Sequence, residues 1–382
     1  MSDKCIVHLV PDVAAFRQNP EAMFDHSADV LNKGDVLFFQ NERHYTSTNT
    51  TWLPEVSHTE LVPPEHALVG LKKVKWDACS FAGNHSMDLG FDALAETISV
   101  LNQLGIKVIG AGKDIAEART PYIVERKGVK IGILARATAC KNGADAGTRK
   151  PGIAPMRAET LYKNLEPWNP GGEPEILTFP NAEDLASLVE DVKKLRSQVD
   201  VVVLSLHWGL TGRSTQIMDY QKVVAHAVID AGVDLIIGHH PHVPKGIEVY
   251  KGKVIFYSAG HFAFDMTVKV REDWMNHRPE AYAKVKSVRK KFRVIEPDWL
   301  DSQHAYEKES RHTMIVKIVA TSKGVERVSY IPAMINKQAQ PVVVTSKDKE
   351  FNEHIEHLRM VTEAVGFATT LVPDGDEVVV KN

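Results

Sequence analysis

Three histidines within four positions, His239, His240 and His242, are the densest donor cluster in the chain. They follow Leu235-Ile236-Ile237, an apolar run that reads as a buried strand ended by Gly238. Pro241 keeps the segment out of a helix. Imidazoles at the carboxyl end of a strand can converge on one metal ion, and α/β sheets place ligands at such ends. Other polar groups repeat the placement. Asp12 follows a run at 5–10, Glu42 one at 36–39, Asn84 and His85 one at 77–82, and His207 one at 200–206. One such coincidence is weak, but five are hard to ascribe to an ordinary solvated surface. Carboxylates and imidazoles with an Asn oxygen suit manganese, iron or zinc. The nucleophile expected of such a centre is a metal-bound hydroxide. A histidine beside it, such as His85, suits a general acid or an anion stabiliser. No GxSxG, Walker A or GxGxxG stretch competes with this chemistry.

The elements that must position these groups alternate. Strands are expected at 5–10, 36–39, 77–82 and 107–110, with helices at 20–32 and from 92 to Leu104 between them. A hairpin is expected over 122–134, turned at Lys127-Gly128. After it come a helix from Asn181, a strand at 200–206, a helix at 216–231 ended by Gly232, and strands at 247–250 and 254–257. His226 on the second helix reads as structural. Residues 139–180, rich in Gly, Pro and Asn, break the rhythm and read as a long surface excursion of the kind that is often functional. A hairpin at 314–331, a helix at 348–365 and a terminal strand at 377–380 close the chain. Strand-loop-helix-strand rhythm predicts an α/β layered fold.

Composition excludes several classes. The 382 residues are ample for a core, and 43% apolar with 25% charged is ordinary for a globular protein. A net charge of −3 gives no global pull towards nucleic acid or an anionic membrane. Nine Lys and Arg side chains do crowd 268–293, with Trp274, Tyr282 and Phe292 between them. Glu272, Asp273 and Glu280 dilute that segment, which reads as a solvated face; a cap that attracts an anionic substrate is the alternative. Cys5, Cys79 and Cys140 are widely spaced and suggest no disulfide framework. The start, MSDKCIVHLVPDVAAF, has no basic region leading into a long apolar stretch, so a cytoplasmic, unanchored chain is expected.

Three stretches, GNHSMDLGFDALAETISVLNQLGI, VVVLSLHWG and DAGVDLIIGHHPHVPKGIEVYKGKVIFYSAGHFAFD, resemble the capsule-synthesis protein A family, of poly-γ-glutamate synthesis type. That family is placed among the calcineurin-like metallophosphoesterases. The resemblance implies a four-layer α/β/β/α sandwich over residues 1–265, with the excursion at 139–180, an insert or cap at 266–311, and an α+β extension at 312–382 completing the domain. It implies Asp12, Glu42, Asn84, His207, His239 and His242 as metal ligands, with His85, His240 and Asn84 in catalysis. Departures from the family pattern are local. Pro11 stands where Gly is usual, Asn41 where Leu is usual, and His261 where Asn is usual. Ala14 takes the place of the histidine in the superfamily's Asp-x-His, so one ion or two is open.

The expectation is a soluble metal-dependent hydrolase acting on a phosphoester, amide or ester of a small polar or anionic substrate. Arg136, Arg213 and His261 would hold that substrate. A metal-dependent lyase or ring-opening enzyme, and a non-catalytic assembly factor for an anionic polymer, are the rivals. Neither nucleic acid nor a membrane is expected as partner, and a homo-oligomer is left open.

Overall fold

The carboxyl ends of strands from two mixed β-sheets carry the candidate ligands. The computed structural model describes residues 4–48, 61–265 and 303–382, with 16, 18, 170 and 305 excepted. The basic segment at 268–293 and most of the expected insert at 266–311 lie outside the described residues. The larger sheet runs in the order β19 (Thr370–Asp374), β20 (Glu377–Lys381), β17 (Gly324–Ile335), β16 (His312–Thr321), β1 (Cys5–Ala14), β2 (Val36–Asn41), β3 (Ala78–Ser80), β4 (Lys107–Ile109). Beside that path, β15 (His261–Phe264) pairs with β1 and β18 (Pro341–Val343) with β17. The six-stranded sheet runs β13 (Ile247–Tyr250), β14 (Lys253–Phe256), β12 (Leu235–His239), β11 (Val201–His207), β7 (Val129–Ala137), β6 (Tyr122–Arg126). Two short pairs stand apart: β5 (Ala111–Gly112) with β8 (Gly152–Ile153), and β9 (Ala158–Asn164) with β10 (Pro174–Pro180). Among the described residues seven α-helices accompany them: α1 (Ala28–Leu31), α2 (Pro64–Gly70), α3 (Gly90–Gln103), α4 (Ile115–Ala118), α5 (Ala182–Arg196), α6 (Asp219–Ala231) and α7 (Lys349–Ala364).

The alternation of side chains along a strand explains the core. Ile131, Ile133, Val201, Val203, Leu235 and Ile237 join one apolar cluster with residues of β1, β2 and β16, so the two sheets share it. Their neighbours Leu134, Val202, Leu204, Leu206 and Ile236 point the other way, under Leu188, Val192 and Leu195 of α5 and Val224 and Val228 of α6. Strands buried on both faces read as unbroken apolar runs, which is why Val201–Leu204 stood out in the sequence. Each fully buried Leu, Ile or Val contributes roughly 1.5–3 kcal/mol. The C-terminal strands β16, β17 and β20 lie in the same sheet as β1.

Three local expectations are corrected. The helix expected at 20–32 is a single 3₁₀ turn at Pro20–Ala22 followed by the one-turn α1. Phe24 is held instead by tertiary contacts, with ring centroids 5.6 Å from Trp76 and 6.3 Å from Phe262. β1 does not stop at Pro11-Asp12; its pairing with β2 slips one residue at Pro11, which has no N–H to give the ladder, and resumes at Asp12. Residues 139–180 are only partly a surface excursion. Ala144, Ile153, Ala154 and Met156 are buried, and the β9–β10 hairpin stands out with Trp168 80% exposed. Among the described residues, no helix is long and apolar enough to cross a membrane.

Candidate metal centre

β1 and β2 of one sheet run parallel, as do β11 and β12 of the other, so the carboxyl ends of these two pairs deliver their groups together. Asp12 lies in register with Gln40 of β2 and His261 of β15. Glu42 follows β2 directly, its N–H donating to the Val13 carbonyl at 3.0 Å. His207 ends β11 opposite His239. The backbone N–H of His240 donates to Asp12 Oδ2 at 3.0 Å and ties one sheet's loop to the other sheet's carboxylate.

Two groups of donors result, each with its ligand atoms within 4.8 Å of one another: Glu42 with His207 and His240, and Asp12 with Glu42 and His242. Glu42 belongs to both. His242 lies between the carboxylates, with Nδ1 3.7 Å from Asp12 and Nε2 3.3 Å from Glu42. His207 Nδ1 is 3.6 Å from Asp12 Oδ1. The loop backbone is strained to achieve this. His240 and His242 take φ of +91° and +59°, a region non-glycine residues rarely occupy and one that costs about 1–3 kcal/mol per residue. Gly238 allows the approach: a Cβ there would come within 2.2 Å of the Tyr257 carbonyl oxygen and 2.6 Å of Trp208 Nε1.

The chemistry of these groups fits a bound cation. Asp12 Oδ1, Glu42 Oε2 and the Nδ1 atoms of His207, His240 and His242 are buried without a hydrogen-bond partner. Leaving so many buried acceptors unsatisfied costs several kcal/mol, which a cation would offset. Burial, and then the charge of Glu42, push the Asp12 carboxyl well above the usual carboxylate range. Burial drives His207 well below the ordinary imidazole value and His240 down to about 3, so both are neutral, the form that ligates metal.

The expected site residues divide. Asp12, Glu42, His207 and His242 come together, and His240, expected in catalysis, stands in a donor group. His239, expected as a ligand, is in neither group; its Nε2 meets Ser205 Oγ at 3.0 Å. Asn84 presents its oxygen to His207 Nε2 at 2.9 Å, which fixes that ring and leaves Nδ1 towards Asp12. His85 meets Asp88 Oδ2 through Nδ1 at 2.7 Å. His261 is buried with its ring 5.5 Å from that of His242. Arg213 lies on the loop after β11, whose Thr211 Oγ1 is 3.3 Å from His240 Nε2. Arg136 is corrected outright. It lies on the helix-covered face of its sheet, where it is sealed and paired with Asp191 of α5. His226 pairs with Glu248 at 2.9 Å, away from the centre.

Sequence reasoning missed several groups. Asp88 also binds Lys141; against its burial, the charges of His85 and Lys141 hold its carboxyl well below the usual range. Its signal was available, three residues after His85. Arg43 was passed over beside Glu42. His304 and Tyr306 reach the centre from far along the chain and carried no sequence signal.

An α/β protein with buried carboxylates and imidazoles gathered at strand ends is what the fold and site define. Residues 4–266 match the family described as bacterial capsule synthesis protein PGA_cap, and the chain belongs to that family. It is 29% identical over 257 residues to the capsule biosynthesis protein CapA of Bacillus anthracis, covering 65% of this chain and 55% of that one. It is 32% identical over 196 residues to the PGA biosynthesis protein CapA of Bacillus subtilis, covering 51% and 44%. The chain thus spans about half the length of these curated relatives. Among solved structures it is similar to the calcineurin-like phosphoesterase YfkN of Bacillus subtilis, with a TM-score of 0.38 and 15% identity over 95% of this chain and 98% of that one.

Proposed function

We propose that this chain is a metal-dependent hydrolase of the calcineurin-like metallophosphoesterase type, with the four-layer α/β/β/α architecture of that class. The observation that carries the reading is the pair of overlapping donor groups with bare, buried ligand atoms. Asp12, Glu42, His207, His240 and His242 would hold one or two divalent ions of manganese, iron or zinc, Glu42 belonging to both donor groups. A bound cation supplies Lewis acidity, polarising an oxygen of the substrate and making water acidic near neutral pH. The protein's own groups do the rest. Asn84 orients His207. Asp88 holds the His85 ring through Nδ1, so Nε2 can hand a proton to a leaving group and take one back. The substrate proposed is small, polar or anionic, cleaved at a phosphoester, amide or ester. The relatives' names point to a second reading, a role in making a capsule polymer, in which the same centre handles that polymer.

Metal content of the purified chain, measured by plasma mass spectrometry beside a screen of phosphoesters and amides, tests the reading. One or two equivalents of manganese, iron or zinc with turnover supports it. A chain that takes up no metal even on reconstitution sinks it.

A further inference from the structure

The arginine next to Glu42 extends that reading, and the inference rests on it. The Arg43 guanidinium stacks 5.3 Å from the centroid of the Phe264 ring, a cation–π contact that holds a long side chain in place. Phe264 meets Tyr306 edge-on at 5.9 Å. Tyr306 lies 5.3 Å from the ring of His242 and 4.9 Å from that of His261. His261 is joined to His304 through two Nε2 atoms 3.1 Å apart, so one imidazole donates and the other accepts. A continuous wall therefore runs from the metal donor His242 to Arg43. The positive charge of Arg43 bears on Glu42, His44, His85 and Tyr306. A guanidinium and a phenol O–H beside a metal centre are partners for an anion.

We propose that Arg43 and Tyr306 form an anion subsite beside the metal centre, which takes a phosphate or carboxylate group of the substrate. His304 and Tyr306 lie beyond the residues that match the family. The subsite also fills the role that Arg136, turned to the opposite face of its sheet, does not.

The test uses the full chain loaded with manganese and titrated with inorganic phosphate by calorimetry, with metal content measured on the same samples. Arg43→Met is expected to weaken phosphate binding roughly tenfold and Tyr306→Phe about threefold, the loss of one charged and one neutral hydrogen bond. Manganese content stays unchanged, and Arg43→Lys recovers part of the loss. A parallel titration with glutarate tells a carboxylate site from a phosphate site by which ligand shows the Arg43 dependence. Unchanged affinity for both in Arg43→Met and Tyr306→Phe, or no binding of either by the loaded wild-type chain, overturns the proposal. A chain that takes no manganese fails the metal reading by metal content alone. Phosphate or glutarate binding to that metal-free chain, lost in Arg43→Met, would then still support the subsite, and its absence would overturn it.

Discussion

Two regions of the molecule gather histidines, and they are built differently. His207, His240 and His242 meet two carboxylates from the other sheet. His312, at the start of β16, stacks on His357 of α7 at 4.2 Å and lies 5.3 Å from His354. His354 Nε2 donates to the Thr313 carbonyl at 3.0 Å. The charges bearing on His312 are those of His357 and His354, and then the cations Arg311 and Lys308. Among the described residues, the groups able to hold an ion both contain Glu42, and neither contains these three rings. Histidine density is thus not what defines the centre. A divalent cation needs buried negative charge within reach; Asp12 and Glu42 supply it at the junction of the two sheets.

The sharpest way to break this comparison is metal content. His207→Ala and His240→Ala are expected to empty the centre, while His354→Ala leaves metal content unchanged by plasma mass spectrometry. His239→Ala refines it, since that ring lies in neither donor group and its loss should leave the metal largely in place. A His239→Ala chain without metal beside a His240→Ala chain with it would reverse the assignment.

Turnover comes next. His85→Gln should keep the metal and lower kcat by roughly 10²- to 10⁴-fold, the range for a lost general acid or base. A His85→Gln chain with full activity on the substrate found in the screen would remove His85 from the mechanism.

The second region should answer in stability instead. Leu358 of α7 is fully buried, and Leu358→Ala should cost roughly 2–5 kcal/mol in denaturant unfolding without touching metal content. A further effect is expected on the acid side. Burial, then the neighbouring His357, press His354 down to about 3. Its folded pKa is below its unfolded value near 6.5, so the unfolded chain binds the proton first. Stability is therefore full above about pH 6.5 and falls as pH drops from there towards 3, by up to ~1.4 kcal/mol per pH unit for this group. His354→Gln should flatten that slope; an unchanged slope between pH 6 and 4 would show that the ring does not contribute.

Much of this was legible in the chain. The strands at β2, β11, β12, β16 and β17 and the helices α3, α5, α6 and α7 follow from apolar runs, 3.6-residue stripes and caps, because those signals are local. The donors Asp12, Glu42, His207 and His242 were legible for the same reason, each standing just past a buried run. What sequence alone left open was direction and partnership. Residues 206 and 207 are neighbours in sequence, yet Leu206 packs under the helices and His207 faces the other sheet. The same alternation sends Arg136 to Asp191. The choice of His240 over His239 turns on the positive φ of a loop residue. Tyr306 and His304 become neighbours of His242 and His261 only when distant segments pack. The sequence by itself determined which groups could ligate and on which elements they sit. Tertiary structure alone decided which of them meet, because the sites lie between two sheets whose facing strands are far apart in the chain.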